Sequence, residues 1–497
     1  MTDVRVRFAP SPTGLLHIGG LRTALYNYLF ARRHGGAFVL RIEDTDRERF
    51  VEDAEQDILD ALSWAGMGYD EGPRIGGPFG PYYQSERKSI YKAYVDRLLA
   101  EGNAYYAFDT PDELQAMRDR LTTGDNPNPR YDTETRLAMR NSYTIPAAEV
   151  KARVDAGEAY VVRLNVPVGK AIQFNDIVRG TVVFQSAEVD DQVLMKSDGM
   201  PTYHMANVVD DHLMHISHIV RGEEWLSSTP KHILLYRALG WEPPQTAHLP
   251  LILSPNGGKL SKRNADKMGI PVNVRQYREL GYEPEALVNY LAFLGWNPGV
   301  EQEVFSLDEL VEVFSLERIG KGGTQYSPDK MNWFNQQHLR RLDDAVLAER
   351  IRPDLQAAGL EADEAYLRRV AGLMKDRITF LRELTTTWRF FFEEPAGYDP
   401  DGVAKRWKSD SPALLDAFAA RLEALPDFTA AGCEEQLRLL GEERGAGAGR
   451  IIHPVRLAVS GITHGPSLFE LLETLGRDTC VRRLRLAIER LPASDAE

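Results

Sequence analysis

Val4-Arg5-Val6-Arg7-Phe8 alternates β-forming residues at the start of the chain, and Pro10 and Pro12 stop the run. From Ile18 to Arg33 the apolar positions Ile18, Leu21, Leu25, Tyr28 and Leu29 recur at helical spacing. Gly35-Gly36 ends that helix, because glycine accepts the left-handed conformation that a helix end often takes. Phe38 to Ile42 follows as a strand. Strand, helix and strand in such close succession make a βαβ unit, which demands a parallel sheet with helices packed over it.

The same scheme extends downstream. Ser85 is placed to cap a helix running to Leu99, and Ala104 to Phe108 read as the next strand. Residues 109 to about 190 break the rhythm with a polar stretch (Gly124 to Arg130) and two strand-like runs, Tyr160 to Val168 and Thr181 to Gln185. They read as an inserted domain. The rhythm resumes with Val193 to Lys196 as a strand, a helix from about Thr202 to Leu213, and His218 to Arg221 as a strand. A helix begins at Ser228-Thr229-Pro230 and runs to Leu239, and Leu249 to Leu253 is the last buried strand. Beyond Val274 the pattern is helical almost throughout, including Ala345 to Ala357, Glu364 to Leu384, Ala413 to Leu425 and Leu468 to Leu491. Pro328, Pro353, Pro412 and Pro466 mark breaks or helix starts.

At 497 residues the chain is too long for one core. No apolar run reaches the roughly 18 residues that span a membrane, and the start of the chain has no apolar signal core. Only Cys433 and Cys480 occur, which excludes a disulfide framework or a cysteine-based zinc cluster and fits a reducing, cytoplasmic setting. The net charge of −14 argues against nucleic acid by bulk electrostatics, yet binding depends on where cations cluster. Three dense basic stretches lie late in the chain: Arg368-Arg369 through Arg377, Lys405-Arg406-Trp407-Lys408, and Arg482-Arg483-Leu484-Arg485. Taken singly, each reads more readily as a solvated helix face.

Two segments carry chemistry. The loop Ala9 to Gly19 places His17, Gly19 and Gly20 at the start of a helix, where free N–H groups favour anions and glycine admits a purine or phosphate. His17 can donate to phosphate oxygens as charge builds on them. Far downstream, Gly257-Gly258-Lys259-Leu260-Ser261-Lys262-Arg263 puts flexible glycines ahead of three cations, suiting a mobile loop over a polyphosphate. It is not a Walker loop, since Leu260 stands where Ser or Thr is needed, and no dinucleotide-binding glycine fingerprint follows a strand.

Together, the opening Pro-x-Pro-x-Gly and His-Ile-Gly pattern and the Lys-Leu-Ser-Lys-Arg loop resemble the two signature motifs of class I aminoacyl-tRNA synthetases. Arg41 to Arg47, Pro201 to Asn207, Val208 to His212 and Arg221 to Trp225 narrow the resemblance to the glutamate and glutamine branch. The helical reading past Val274 is similar to bacterial glutamyl enzymes, since eukaryotic-type glutaminyl enzymes end in β-barrels. It also sets the chain apart from short relatives that modify queuosine in tRNA. The resemblance implies an α/β, Rossmann-like catalytic domain split by an inserted α+β domain that binds the acceptor end, followed by all-α stem and anticodon-binding domains. The expected boundaries are 1–108 and 191–255 for the two catalytic halves and 109–190 for the insertion. The basic loop and stem-contact domain take 256–335, and the anticodon domain takes 336–497.

The resemblance also implies roles. ATP, with magnesium as its counter-ion, L-glutamate and the glutamate tRNA are the expected partners, for a chain acting as a monomer away from membranes. Arg7 and Arg221 would hold the substrate's carboxylates, Glu43 its α-amino group, and Ser11, Tyr203 and Asn207 would complete the pocket. Asp44, Asp46 and Arg47 would brace it. His17, Gly19 and Gly20 would lie under ATP, with Glu224 and Trp225 at its adenosine end. Lys262, aided by Lys259 and Arg263, would assist pyrophosphate departure. Arg377, Arg456 and the turn from Pro466 to Leu468 align with anticodon-reading positions, and an arginine at 377 resembles members that accept only the glutamate tRNA. Two departures stand out. Gly20 replaces a second histidine that often ends the first motif, as in glutamate-specific members. Tyr105 to Asp109 lacks the cysteines of the zinc knuckle found in some bacterial members, so no structural zinc is expected. The rival readings are a relaxed enzyme that also charges the glutamine tRNA and an inactive nucleotide- or tRNA-binding relative.

Overall fold

The computed structural model describes residues 3–45, 49 and 51–492. The chain divides into two compact units, Met1–Leu280 with Leu287–Pro328, and Gly281–Ala286 with Asp329–Glu497. Asp46 and Arg47, expected to brace the substrate pocket, lie outside the described residues.

The first unit opens with β1 (Arg5–Phe8), α1 (Ile18–Arg33) and β2 (Ala37–Leu40). There follow α2 (Ala54–Trp64), α3 (Lys88–Ala100), β3 (Ala104–Ala107), α4 (Pro111–Leu121), α5 (Ala147–Asp155) and β4 (Val161–Leu164). Next come β5 (Ala171–Asp176), β6 (Gly180–Gln185), β7 (Val193–Met195), α6 (Tyr203–Leu213) and β8 (His218–Gly222). Then α7 (Thr229–Ala238), β9 (Gln245–Leu249), β10 (Ile252–Leu253), α8 (Lys262–Asp266) and α9 (Val274–Glu279). α10 (Pro284–Phe293), α11 (Leu307–Val313) and the short strand β11 (Thr324–Gln325) lead to α12 (Pro328–Arg341).

β1 and β2 pair in parallel with Val6 opposite Phe38, as the opening βαβ pattern requires. Alternation along β1 sends Val6 and Phe8 into the core, while Arg5 and Arg7 turn to carboxylates, Arg5 to Glu71 and Arg7 to Asp211. Helix α1 buries Ile18, Leu21, Leu25 and Leu29. β8 runs parallel to β9, and Ser217 binds the backbone of Arg5 at the foot of β1, which brings the two parallel pairs edge to edge.

Several sequence expectations change here. Strands β3 and β7 do not continue a parallel sheet, because both pair antiparallel with β4. The alternating segment Ala171 to Asp176 is the unforeseen strand β5; it forms a hairpin with β6 and touches β9 in parallel at Asp176 and Thr246. Helices α4 and α5 were also not anticipated within the insertion. Ser85 caps no α-helix; it lies in a 3-10 turn, and its N–H and hydroxyl bind the Asp44 carboxylate at 2.8 and 2.6 Å. The last long buried strand ends at Leu249 rather than beginning there.

The second unit is helical and includes α12, followed by α13 (Asp344–Ala357), α14 (Glu364–Met374), α15 (Pro400–Arg406), α16 (Ser411–Ala424), α17 (Ala430–Arg444), α18 (Ala448–Ser460), α19 (Leu468–Leu475) and α20 (Arg477–Arg490). Its core includes Leu367, Trp407, Phe418, Leu457 and Leu472. Pro353 sits inside α13 rather than at a break, with its ring facing solvent. The expected helix Leu468 to Leu491 is two, divided at Gly476, whose φ of 83° is open to glycine. One basic stretch proves structural, and in another the tryptophan is structural while Lys405 and Arg406 stay exposed. Trp407 is wholly buried, and buried Arg483 donates to the carbonyls of Val459, Phe390 and Glu393, while Arg482 and Arg485 pair with Glu394 and Glu423.

Helix α6 carries two adjacent buried carboxylates, Asp210 and Asp211, inside the first unit. Asp210 accepts from Arg87 Nε at 2.7 Å, Gln84 Nε2 at 2.9 Å and Tyr91 OH at 2.9 Å, which fastens α6 to α3 and the turn before it. Removing one partner leaves the other charge buried and uncompensated. Arg87→Met is therefore expected to destabilise the first unit by about 3–5 kcal/mol. Denaturant unfolding followed by circular dichroism checks this, and an unmoved midpoint would show that Arg87 does not hold the pair.

Candidate active site

A hollow of about 750 Å³ opens over the carboxyl ends of β1, β2 and β8, where parallel α/β sheets receive ligands. Arg7, Ser11, Gly19, Gly20, Glu43, Tyr203, Asn207, Arg221, Glu224 and Trp225 all line it, so one site gathers the whole predicted amino-acid pocket and much of the predicted nucleotide pocket. A larger hollow of about 940 Å³ in the helical unit, lined by Arg352, Tyr366 and Arg482 among others, contains none of the candidate residues.

Arg7 comes from β1 and meets Asp211 of α6 through Nε and Nη2, at 3.0 and 3.2 Å. Arg41, fully buried, reaches Asp211 Oδ1 at 2.8 Å, Glu43 Oε1 at 3.0 Å and, more distantly, Asp210 at 3.7 Å. Burial alone would raise the Asp211 carboxyl, but Arg7 and Arg41 together hold it below the ordinary range. Glu43 behaves differently: burial outweighs Arg41 and Arg7 and pushes its carboxyl up. Asn207 Nδ2 approaches Glu43 at 3.4 Å, while its buried Oδ1 has no partner among the described residues. Glu43 is thus a carboxylate with weak neutralisation, next to an unused acceptor. Both suit a cationic group.

Arg221, at the end of β8, is built on another principle. Its Nε donates to His248 Nε2 at 3.1 Å, its Nη2 to Thr229 Oγ1 at 3.0 Å, and its terminal nitrogens face His232 Nδ1 at 3.3 Å. His248 Nδ1 in turn lies 2.6 Å from Asp176 Oδ2, and His232 Nε2 lies 3.0 Å from His204 Nδ1. Burial keeps all three imidazoles below their ordinary range, aided at His232 by Arg221 and at His204 by Lys231. Among the described residues no carboxylate pairs with Arg221. Tyr203 OH sits 3.4 Å from it, and the Tyr203 ring packs on Trp225 at 4.4 Å between centroids.

The two signature loops are stitched together. His17 is the N-cap of α1: its Nδ1 accepts from Gly19 N at 3.0 Å, which leaves Nε2 to carry the ring proton outward. A Cβ at Gly19 would come within 3.3 Å of that ring nitrogen, and one at Gly20 within 2.9 Å of Leu16. Leu16 N donates to buried Asp57 at 2.7 Å, Asp57 pairs with Arg275 at 3.0 Å, and Ile18 and Val274 exchange backbone bonds with Val272 and Leu16. The segment following the basic loop therefore braces the histidine loop. In the basic loop itself, Gly257 and Gly258 adopt φ of 85° and 73°, turning the chain so that Leu260 N returns to Ile252 O. Lys259, Lys262 and Arg263 are left exposed. Lys259 lies 3.6 Å from Glu224, and burial together with Lys259 and Lys262 lowers the His17 pKa to about 4. His17, Lys259, Lys262 and Arg263 do not line the hollow itself.

In the helical unit, Arg377 is exposed after α14 and Arg456 is part-buried on α18, close enough for each other's charge to be felt. Arg456 adjoins Gly465, next to Pro466, with Trp388 alongside. Leu468 packs in the core, so it holds this turn rather than presenting a side chain.

Sequence reasoning overlooked Arg41, Arg87, Asp176, His232 and His248. Adjacent aspartates in the apolar helix Met205 to Leu213 were the available signal, since two carboxylates there need cations of their own.

Residues 3–333 match the profile of tRNA synthetases class I (E and Q), catalytic domain, and residues 346–488 match an anticodon binding domain. The glutamate–tRNA ligase of Cytophaga hutchinsonii is 48% identical, with 98% of this chain and 97% of the relative aligned. That of Porphyromonas gingivalis is 50% identical, with 98% of each chain aligned. A crystal structure of a glutamate tRNA ligase from Elizabethkingia meningosepticum, in complex with its amino acid, superposes with a TM-score of 0.94 at 43% identity. That match covers 99% of this chain and 100% of the other.

His17 and His204 both drop from an ordinary 6.5 to about 4. Below pH 6.5 the unfolded chain takes up protons that these two rings refuse when folded, so their contribution to stability is lost as pH falls toward 4. The ring resonances of His17 should keep their neutral shift down to about pH 5.5 by nuclear magnetic resonance. A midpoint near 6.5 would mean that the ring is not enclosed as described.

Proposed function

We infer the reaction from the family: the chain belongs to the class I tRNA synthetases of the glutamate and glutamine branch, with a Rossmann-like catalytic region and a helical anticodon-binding domain. It is a glutamate–tRNA ligase, using ATP to charge tRNA with glutamate. The observation that carries the reading at the site is the convergence of Arg7, Glu43, Asn207 and Arg221 on one hollow beside the histidine loop.

Two steps account for the chemistry. An oxygen of glutamate's α-carboxylate attacks the α-phosphorus of ATP, the bond to the β-phosphate oxygen breaks, and pyrophosphate leaves with its electron pair. A terminal ribose hydroxyl of the tRNA then attacks the acyl carbon, its proton is released, and AMP departs. Neither step needs a covalent protein nucleophile, so the side chains act by positioning and by stabilising charge. Glu43, paired with Arg41 but weakly neutralised, receives the α-ammonium together with Asn207 Oδ1. Arg221 binds a carboxylate, and Arg7 assists with the edge that Asp211 leaves open. ATP enters as its magnesium complex. His17 donates from Nε2 to the phosphates, the start of α1 adds its N–H groups, and Trp225 offers a face to the adenosine. Lys262 and Lys259, beside His17, neutralise the departing pyrophosphate, with Arg263 assisting.

Losing a donor aimed at developing charge typically costs on the order of 10²–10³ in rate. Lys262→Ala should slow pyrophosphate exchange by that factor and leave tRNA affinity nearly unchanged; exchange at the normal rate would remove Lys262 from the reaction.

For the tRNA, the insertion is assigned to the acceptor end, and the exposed Arg377 with Arg456 and the turn at Pro466 to the anticodon, where splayed bases are read by stacking and hydrogen bonds. Labelled glutamate offered with separate glutamate and glutamine tRNAs should appear on the glutamate tRNA alone. Label on both would discard discrimination by Arg377.

A further inference from the structure

We propose that Asp176 and His248 are positioning residues that aim the Arg221 guanidinium at the substrate carboxylate while leaving its charge unspent. The proposal rests on Arg221 as a glutamate-binding residue. Arg7 and Arg41 meet carboxylates directly, whereas Arg221 is buried among neutral acceptors: His248, Thr229 and His232. A carboxylate in contact with Arg221 would compete with the substrate's own. A histidine supplies the lone pair without the charge.

A neutral imidazole serves only as the right tautomer, and Asp176 fixes which. Its Oδ1 accepts three backbone N–H groups, from Arg179 at 2.9 Å, Val178 at 3.1 Å and His248 at 3.3 Å. The carboxylate is thereby locked with Oδ2 facing His248 Nδ1 at 2.6 Å, both side chains being fully buried. The ring proton must sit on Nδ1, so Nε2 presents its lone pair to Arg221 Nε. The hydroxyl of Thr229 lies 3.1 Å from both the Trp225 carbonyl and His248 Nε2; donating to either acceptor, it accepts from Arg221 Nη2. The guanidinium plane is held at two nitrogens before glutamate arrives. Asp176 ends β5, the strand by which the insertion's hairpin meets β9, and His248 lies on β9.

Two near-isosteric variants test this. In Asp176→Asn the oxygen stays with the three backbone donors, so the amide NH2 faces His248 Nδ1 and forces the proton to Nε2, donor against donor at Arg221. His248→Phe keeps the volume and removes the acceptor. Each should raise the KM for glutamate about tenfold or more while the KM for ATP stays within about twofold, measured by aminoacylation with the full chain. His248→Gln, whose Oε1 can stand in for Nε2, should recover most of the loss. Arg221→Gln serves as the reference. If it raises the glutamate KM and Asp176→Asn and His248→Phe do not, or if glutamate and ATP constants rise together, positioning by this pair is wrong. If Arg221→Gln itself leaves the glutamate KM unchanged, the glutamate-binding reading of Arg221 is what falls.

Discussion

Asp211 accepts from Arg7 and from Arg41 inside a region closed to water, and Arg41 passes on to Glu43 and Asp210, which Arg87 also holds. Charges in such a place are tolerated only when paired and hydrogen-bonded, because desolvation costs several kcal/mol per ion. The network joins the end of β1, the segment after β2, the turn before α3, and α6. These four pieces are far apart in sequence; β1, the segment after β2 and α6 supply the floor of the proposed substrate hollow, and the turn before α3 braces α6 behind it. A single misplaced member would leave a buried charge alone, so the floor has one arrangement rather than several.

The hollow combines two electrostatic designs. On one side Glu43 keeps a carboxylate that its arginine does not fully neutralise; on the other Arg221 keeps a positive charge surrounded by neutral rings. The proposed substrate, an amino acid with an ammonium at one end and a carboxylate at the other, would complete both at once. In a low-dielectric site each such completion is stronger than in water and needs no reorganisation of solvent. On this reading, specificity follows from which charges the protein leaves incompletely neutralised, not from the number of charges it contains.

The proposed nucleotide end depends on backbone stitching. Asp57 ties the N–H of Leu16 to Arg275, and the strand-like exchange between residues 16–18 and 272–274 fixes His17 beside the segment that follows the basic loop. Because Nδ1 of His17 caps α1, its orientation is set by the helix it begins, and Gly19 gives the ring room. The cations of the basic loop remain exposed, as a segment must be if it is to meet a polyphosphate.

From the sequence alone, local elements and residue chemistry were readable. The alternation of Val4 to Phe8 located β1 to within one residue, the spacing of Ile18 to Leu29 and the glycine stop located α1 to the residue, and the motifs grouped Arg7, Glu43, Tyr203, Asn207 and Arg221 as one pocket. These are properties of short segments, where a period or a turn residue has few interpretations. The strand partners of Ala104 to Ala107 and Val193 to Met195, the strand at Ala171 to Asp176, and the role of Ser85 were not readable. A strand's period does not state its partner or direction, and a serine before a helix caps it only if no carboxylate claims the hydroxyl first. The aspartates of α6, and the histidines behind Arg221, carry no local pattern that distinguishes a buried charge from an exposed one. Tertiary structure decided those, because whether a titratable side chain is paired, neutral or left waiting for a ligand depends on what the fold brings against it from elsewhere in the chain.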